Sequence, residues 1–133
     1  MSTPTSAASD AWLPRSRRSP GKARHLLSSL LSAFPGGERF HDPGLLVVSE
    51  LVTNALLYGT PPGHRIYLAL DVDSTRLRVE VHDAMRDRPP VLVAPGLHVE
   101  AGRGLHLVKS IAKSWGCSPR EPIGKIIWCE VAA

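Results

Sequence analysis

The sequence predicts an α+β fold, a two-layer sandwich in which a mixed, mainly antiparallel sheet is covered on one face by helices. Three observations predict it. Two amphipathic helical patterns come first, over residues 19–34 and 42–59. Two pairs of strand-like runs follow, each pair joined by a short turn, at 65–83 and 115–131. A third helical pattern separates the pairs. The expected order is helix, helix, strand, strand, loop, helix, strand, strand. Strands linked as hairpins, with helices set apart from them, give a layered antiparallel sheet and not a doubly wound parallel one.

A chain of 133 residues makes one domain, able to bury roughly two-thirds of its unfolded surface. Residues 1–19 are rich in Ser, Thr, Ala, Pro and Arg and read as a mostly disordered arm preceding a domain over 20–133. Within the arm, Ala11-Trp12-Leu13-Pro14 is the one apolar patch, suited to an edge strand or a docking contact. The net charge of +4 resides in the first 25 residues, where Arg15, Arg17, Arg18, Lys22 and Arg24 face Asp10 alone. The rest of the chain is neutral. Such an arm can touch phosphate, yet no nucleic-acid recognition motif accompanies it, so no direct nucleic-acid contact is expected. No apolar run is long enough to cross a bilayer and the N-terminus lacks the core of a secretory signal, so a cytoplasmic location is the default.

The first helix opens at Ser19-Pro20, carries Leu26, Leu27, Leu30, Leu31 and Phe34 at helical spacing, and stops at Pro35-Gly36-Gly37. The second opens at Asp42-Pro43, a cap followed by a proline at the first helical position. Gly59 is placed to end it in the left-handed conformation, ahead of Thr60-Pro61-Pro62-Gly63. Between these ends lie Leu45, Leu46, Val48, Leu51, Val52, Ala55 and Leu56, interrupted by Glu50 and Asn54. Those two stand one turn apart, about 6 Å along the axis, and share a face. Either that face is solvated, or it lines a pocket. In a pocket, the carbonyl oxygen of Asn54 suits a hard cation and Glu50 suits the polarisation of a water or hydroxyl.

In the first hairpin Ile66, Leu68, Leu70 and Val72 alternate, Asp73-Ser74-Thr75-Arg76 turns, and Leu77, Val79 and Val81 alternate with Arg78, Glu80 and His82. Parity puts Asp83 on the side of Leu77, Val79 and Val81. It either points beneath the helices, able to accept from an amine on a buried flat ring, or caps a turn after the strand has ended. Residues 84–101 have no periodicity and form a loop of unusual length for a compact domain. They lead to Gly102-Arg103-Gly104-Leu105, where two glycines open a helix running through Val108, Ile111 and Ala112 to Trp115, closed by Gly116. A helix N-terminus of this kind favours an anion such as phosphate, and a plain loop-to-helix turn has the same pattern. The last hairpin turns over Pro119–Gly124. Cys117 and Cys129 lie symmetrically about Ile123, so a hairpin centred there places them opposite each other; in a reducing compartment they are free, buried thiols.

Separately these signals are weak, but their order and spacing are specific. Glu50-Leu-Val-Thr-Asn54-Ala-Leu, an aspartate closing a strand at Asp83, a loop, and Gly102-Arg-Gly104-Leu resemble the N, G1 and G2 boxes of the GHKL ATPase superfamily. The resemblance spans roughly residues 20–131. The small size and the ending Gly124-Lys-Ile-Ile-Trp-Cys-Glu look most like its anti-sigma-factor serine/threonine kinases, in the short actinobacterial type of ATP-binding regulator. It implies a Bergerat-type sandwich that binds ATP and Mg²⁺. It also implies Asn54 as the metal ligand, Glu50 as general base towards a substrate hydroxyl, and Asp83 as acceptor for the adenine amine. Gly102, Arg103, Gly104 and Leu105 then line the phosphates. The implied partners are a sigma factor and an anti-anti-sigma antagonist; relatives of this kind are often homodimers, and no membrane is involved.

Three departures stand out. Asp83 is followed by Ala84-Met85-Arg86-Asp87 where the G1 box usually continues with glycines. Ile126 replaces a threonine that often precedes the last strand, and Tyr58 stands where relatives often carry histidine. Lys125 could compensate at a phosphate, but the expectation is a solvated lysine at a strand end. The departures motivate an alternative, a non-catalytic module that keeps the fold and sequesters a partner. A DNA-binding reading rests only on the basic arm.

Overall fold

The computed structural model describes residues 5–83, 108–119 and 124–133. The elements are β1 (Ser6–Leu13), α1 (Ser19–Ala33), a 3₁₀ turn (Gly37–Phe40), α2 (His41–Asn54), a π-helical turn (Ala55–Gly59), β2 (Ile66–Asp73), β3 (Arg76–Asp83), β4 (Ser114–Pro119) and β5 (Lys125–Ala132). Residues 108–111 are helical. The five strands form one sheet in the order β1-β2-β3-β5-β4, every neighbouring pair antiparallel. The helices pack on one side of it, as the α+β two-layer reading requires; among the described strands the sheet is wholly antiparallel, not mixed.

Alternation decides which side is dry. Ile66, Leu68, Leu70 and Val72 of β2, Leu77, Val79 and Val81 of β3, and Ile127, Cys129 and Val131 of β5 are all buried. They meet Leu27, Leu30 and Leu31 of α1 and Val47, Val48, Leu51 and Val52 of α2 in one core. The intervening residues form the open face. There Arg78 donates to Glu80 at 2.8 Å and to Glu130 at 3.0 Å, and its guanidinium lies 4.6 Å from the Trp128 ring centroid. Loss of solvent opposes ionisation of Glu80, but hydrogen bonds from Arg78 and His82 prevail and its pKa is lowered. Among the described residues no helix is long and apolar enough to cross a membrane.

Several local expectations are corrected. Residues 6–13 are not disordered. They add β1 to the sheet edge in unbroken register with β2, from Ser6 opposite Asp73 to Leu13 opposite Ile66. The segment has weak intrinsic strand preference, and the pairing compensates: Trp12 sits 4.9 Å from the Tyr67 ring and the Tyr67 hydroxyl donates to Asp10. Neither Ser19 nor Asp42 caps its helix. The Ser19 hydroxyl turns back to the Pro14 carbonyl, while Asp42 lies in the first turn of α2 because the helix follows directly on the 3₁₀ turn and starts two residues earlier, at His41.

The helix ending near residue 111 stops earlier than its periodicity suggests. The Lys113 amide already bonds the Glu130 carbonyl at 2.8 Å, so Trp115 and Gly116 belong to β4. Gly116 lies flat under the Trp128 indole, where a Cβ would come within 2.9 Å of the ring. The cysteines do not face each other, because the register sets Cys117 opposite Ile127 and Trp115 opposite Cys129. Both are free; Cys117 is exposed, and burial pushes the Cys129 thiol up to about 12.

The β2–β3 turn supplies a pH-dependent contribution. The Asp73 carboxylate accepts from the Thr75 hydroxyl at 2.7 Å and from the Thr75 and Arg76 amides at 2.8 Å each. The hydroxyl first, then the amides, hold its pKa down to about 2. A depressed carboxyl pKa means the stabilisation is full above the unfolded value of about 4 and lost as pH falls through about 2. Asp73→Ala is therefore expected to lower the urea midpoint at neutral pH, with the difference from wild type closing between about pH 4 and pH 2. A difference that stays constant over that range contradicts this reading of the turn.

Candidate functional site

The site is built where α2 ends. Asn54 is the last residue of the regular helix, and the backbone then widens into the π-helical turn Ala55–Gly59. Such widened turns are rare and occur often at functional sites. Asn54 is 4% exposed, and among the described residues its Oδ1 has no hydrogen-bond partner. An orphaned buried carbonyl oxygen costs about 1–3 kcal/mol, so a ligand that satisfies it gains that much. A hard cation takes oxygen donors of this type. Glu50 stands one turn earlier on the same helix and is half-buried. The solvated alternative for this helix face is thus set aside at Asn54.

Gly59 closes the turn, but not as a left-handed cap: among described residues the positive-φ glycines are Gly36, Gly63 and Gly124. Glycine is required at 59 for another reason. A Cβ there would lie 2.2 Å from Asp83 Oδ2 and 2.7 Å from its Cγ. The backbone after α2 therefore rests directly on the end of β3. Thr60 follows, 5% exposed, with its hydroxyl oxygen lacking a hydrogen-bond partner among the described residues. Its carbonyl accepts from Arg15 Nε at 2.8 Å, which ties the turn to the segment before α1.

Asp83 is fully buried and still within β3, which excludes the turn-capping alternative. Directly opposite it in register is Lys125, 3% exposed, with Nζ 2.9 Å from Asp83 Oδ2. At that distance two opposite charges withdrawn from water attract directly.

This corrects the expectation of a solvated Lys125, and it moves attention from Ile126. Ile126 pairs with His82 and lies on the open face, so the β5 residue that faces the site at this level is Lys125. The same parity argument that placed Asp83 also finds it, since Ile127, Cys129 and Val131 fix which positions of β5 point inward. Thr60 had no such signal, because its burial follows from the π-helical turn. Gly102, Arg103, Gly104 and Leu105, with the 84–101 loop, lie outside the described residues. A separate cleft of about 390 Å³, lined by Asp10, Tyr67, Asp71, Arg78 and Glu80 among others, opens beside β1 and contains none of the expected site residues.

The described polar groups here are thus an unpartnered amide oxygen at the end of α2, a carboxylate one turn before it, and a buried carboxylate at the end of β3. The chain belongs to the histidine kinase-like ATPase domain family, whose model matches residues 13–129. Membership places it in the GHKL superfamily and implies ATP binding. Among curated proteins none matches the chain.

Removing one member of a buried ion pair leaves the other charge stranded, at a cost of about 3–5 kcal/mol. Lys125→Met is expected to destabilise by that order in urea unfolding. The double variant Asp83→Asn/Lys125→Met, which strands no charge, should recover most of the loss. Equal destabilisation of the single and double variants contradicts the pairing.

Proposed function

We propose that this chain is an ATP-dependent serine/threonine protein kinase of the anti-sigma-factor type. It phosphorylates an anti-anti-sigma antagonist and binds a sigma factor in a partner-switching circuit. The observation that carries the reading is the buried Asn54 amide oxygen, unpartnered among the described residues, one turn beyond Glu50. That pair gives one helix face both a metal anchor and a proton acceptor, and phosphoryl transfer needs little beyond positioning and charge neutralisation.

In this reading Asn54 would hold Mg²⁺, and its buried oxygen, unpartnered among the described residues, fits that role. When bound, the metal neutralises phosphate charge. Asp83 accepts from the adenine amine and so fixes the depth to which the nucleotide enters. Gly102, Arg103, Gly104 and Leu105 are assigned to the phosphates through backbone groups at a helix start. Glu50 takes the proton from the antagonist's serine or threonine hydroxyl as its oxygen bonds to the γ-phosphorus. The bond from that phosphorus to the bridging oxygen breaks, and ADP departs.

Calorimetric titration with Mg-ATP tests the reading directly. Wild type should bind, and Asn54→Ala should bind about tenfold or more weakly, the loss of one contact to a charged group. Glu50→Ala should retain nucleotide binding while phosphate transfer to the antagonist falls by about 10²-fold or more. No measurable heat from wild type at millimolar nucleotide removes the proposal.

A further inference from the structure

We infer that Lys125 is a second base-reading residue, donating to the ring nitrogen that neighbours the amine accepted by Asp83. The inference rests on the ATP-binding reading above and deepens it. An ammonium carries three N–H donors and a carboxylate about four acceptor sites, so the two can hold each other and still present one donor beside one acceptor. The 2.9 Å between Lys125 Nζ and Asp83 Oδ2 keeps those two groups side by side, and their direct cross-strand register fixes the geometry from the backbone. The Watson–Crick edge of adenine offers the complement, an N6 amine donor next to the N1 acceptor.

The setting argues for a reading role over a purely structural one. Lys125 is 3% exposed and Asp83 fully buried, and desolvating two charges costs several kcal/mol per ion. Apolar residues of similar volume commonly fill such positions at equal or better stability. The pair also lies at the end of the sheet where the chain comes closest: Gly59 has no side chain, and Asp83 Oδ2 occupies the space where its Cβ would stand. A buried donor held beside a buried acceptor discriminates strongly, because a ligand lacking either complement sets a mismatched atom against a desolvated charge.

The test compares Mg-ATP with Mg-1-deaza-ATP, in which N1 is replaced by C–H, and with the triphosphate of purine riboside, which lacks the amine. Wild type should bind both analogues about tenfold or more weakly than ATP. Lys125→Met should lose the discrimination against 1-deaza-ATP and keep that against the amine-free analogue. The wild-type comparison stands even where the single variant fails to fold. Equal wild-type affinity for ATP and 1-deaza-ATP overturns the role of Lys125 alone, as does a Lys125→Met protein that keeps the ratio. Tighter binding of GTP than ATP overturns the adenine assignment, since guanine also carries an adjacent acceptor and donor. Failure of wild type to bind any of these nucleotides overturns the inference together with the ATP reading beneath it.

Discussion

The structure depends on one close approach, that of the backbone at Gly59 to the carboxylate of Asp83. α2 delivers its last residue, Asn54, to the level at which β3 ends, and the π-helical turn spreads the next five residues over the strand. A side chain at 59 would occupy the position of Asp83 Oδ2. A side chain there would force the turn after α2 away from the end of β3. The apolar packing of Val48, Leu51 and Val52 against the buried side of the sheet supplies the force that holds that approach closed.

Polar groups are distributed unequally between the two faces. On the open face charges are numerous and mostly paired: Arg78 bridges Glu80 and Glu130, Arg76 lies 3.4 Å from Glu130, and His82 meets Glu80 at 3.1 Å. Such half-exposed pairs contribute little stability individually, yet they keep the uncovered side of the sheet in water and fix its orientation. On the covered side the buried polar side chains among the described residues are Ser19, Asn54, Thr60, Asp83 and Lys125. Ser19 is held by the Pro14 carbonyl at the start of α1, whereas the other four belong to the end of α2 with its following turn and to the paired ends of β3 and β5.

Much of this was legible from the residues. Period-two alternation located β2 and β3, and the same parity carried Asp83 to the inner face. The spacing of Glu50 and Asn54 alone puts both on one helix face. What escaped has physical reasons. β1 lacks strand-forming composition and is ordered by pairing along its full length with β2, a tertiary effect. Gly59 reads as a helix stop because sequence cannot distinguish a glycine needed for its dihedral angles from one needed for closeness. Lys125 was misplaced because charge at a strand end suggests solvent, although parity along β5 already pointed it inward.

The central claim is that the end of α2 and the end of β3 line one nucleotide-and-metal cavity. Residue-resolved NMR tests it most directly, with ADP added first and Mn²⁺ second. The account predicts that ADP shifts the backbone amide of Gly59, and that Mn²⁺ then broadens the side-chain amide of Asn54 only while the nucleotide is present. An Asn54 resonance left untouched, with the perturbed amides mapping instead to the open face around Tyr67 and Trp128, would contradict it.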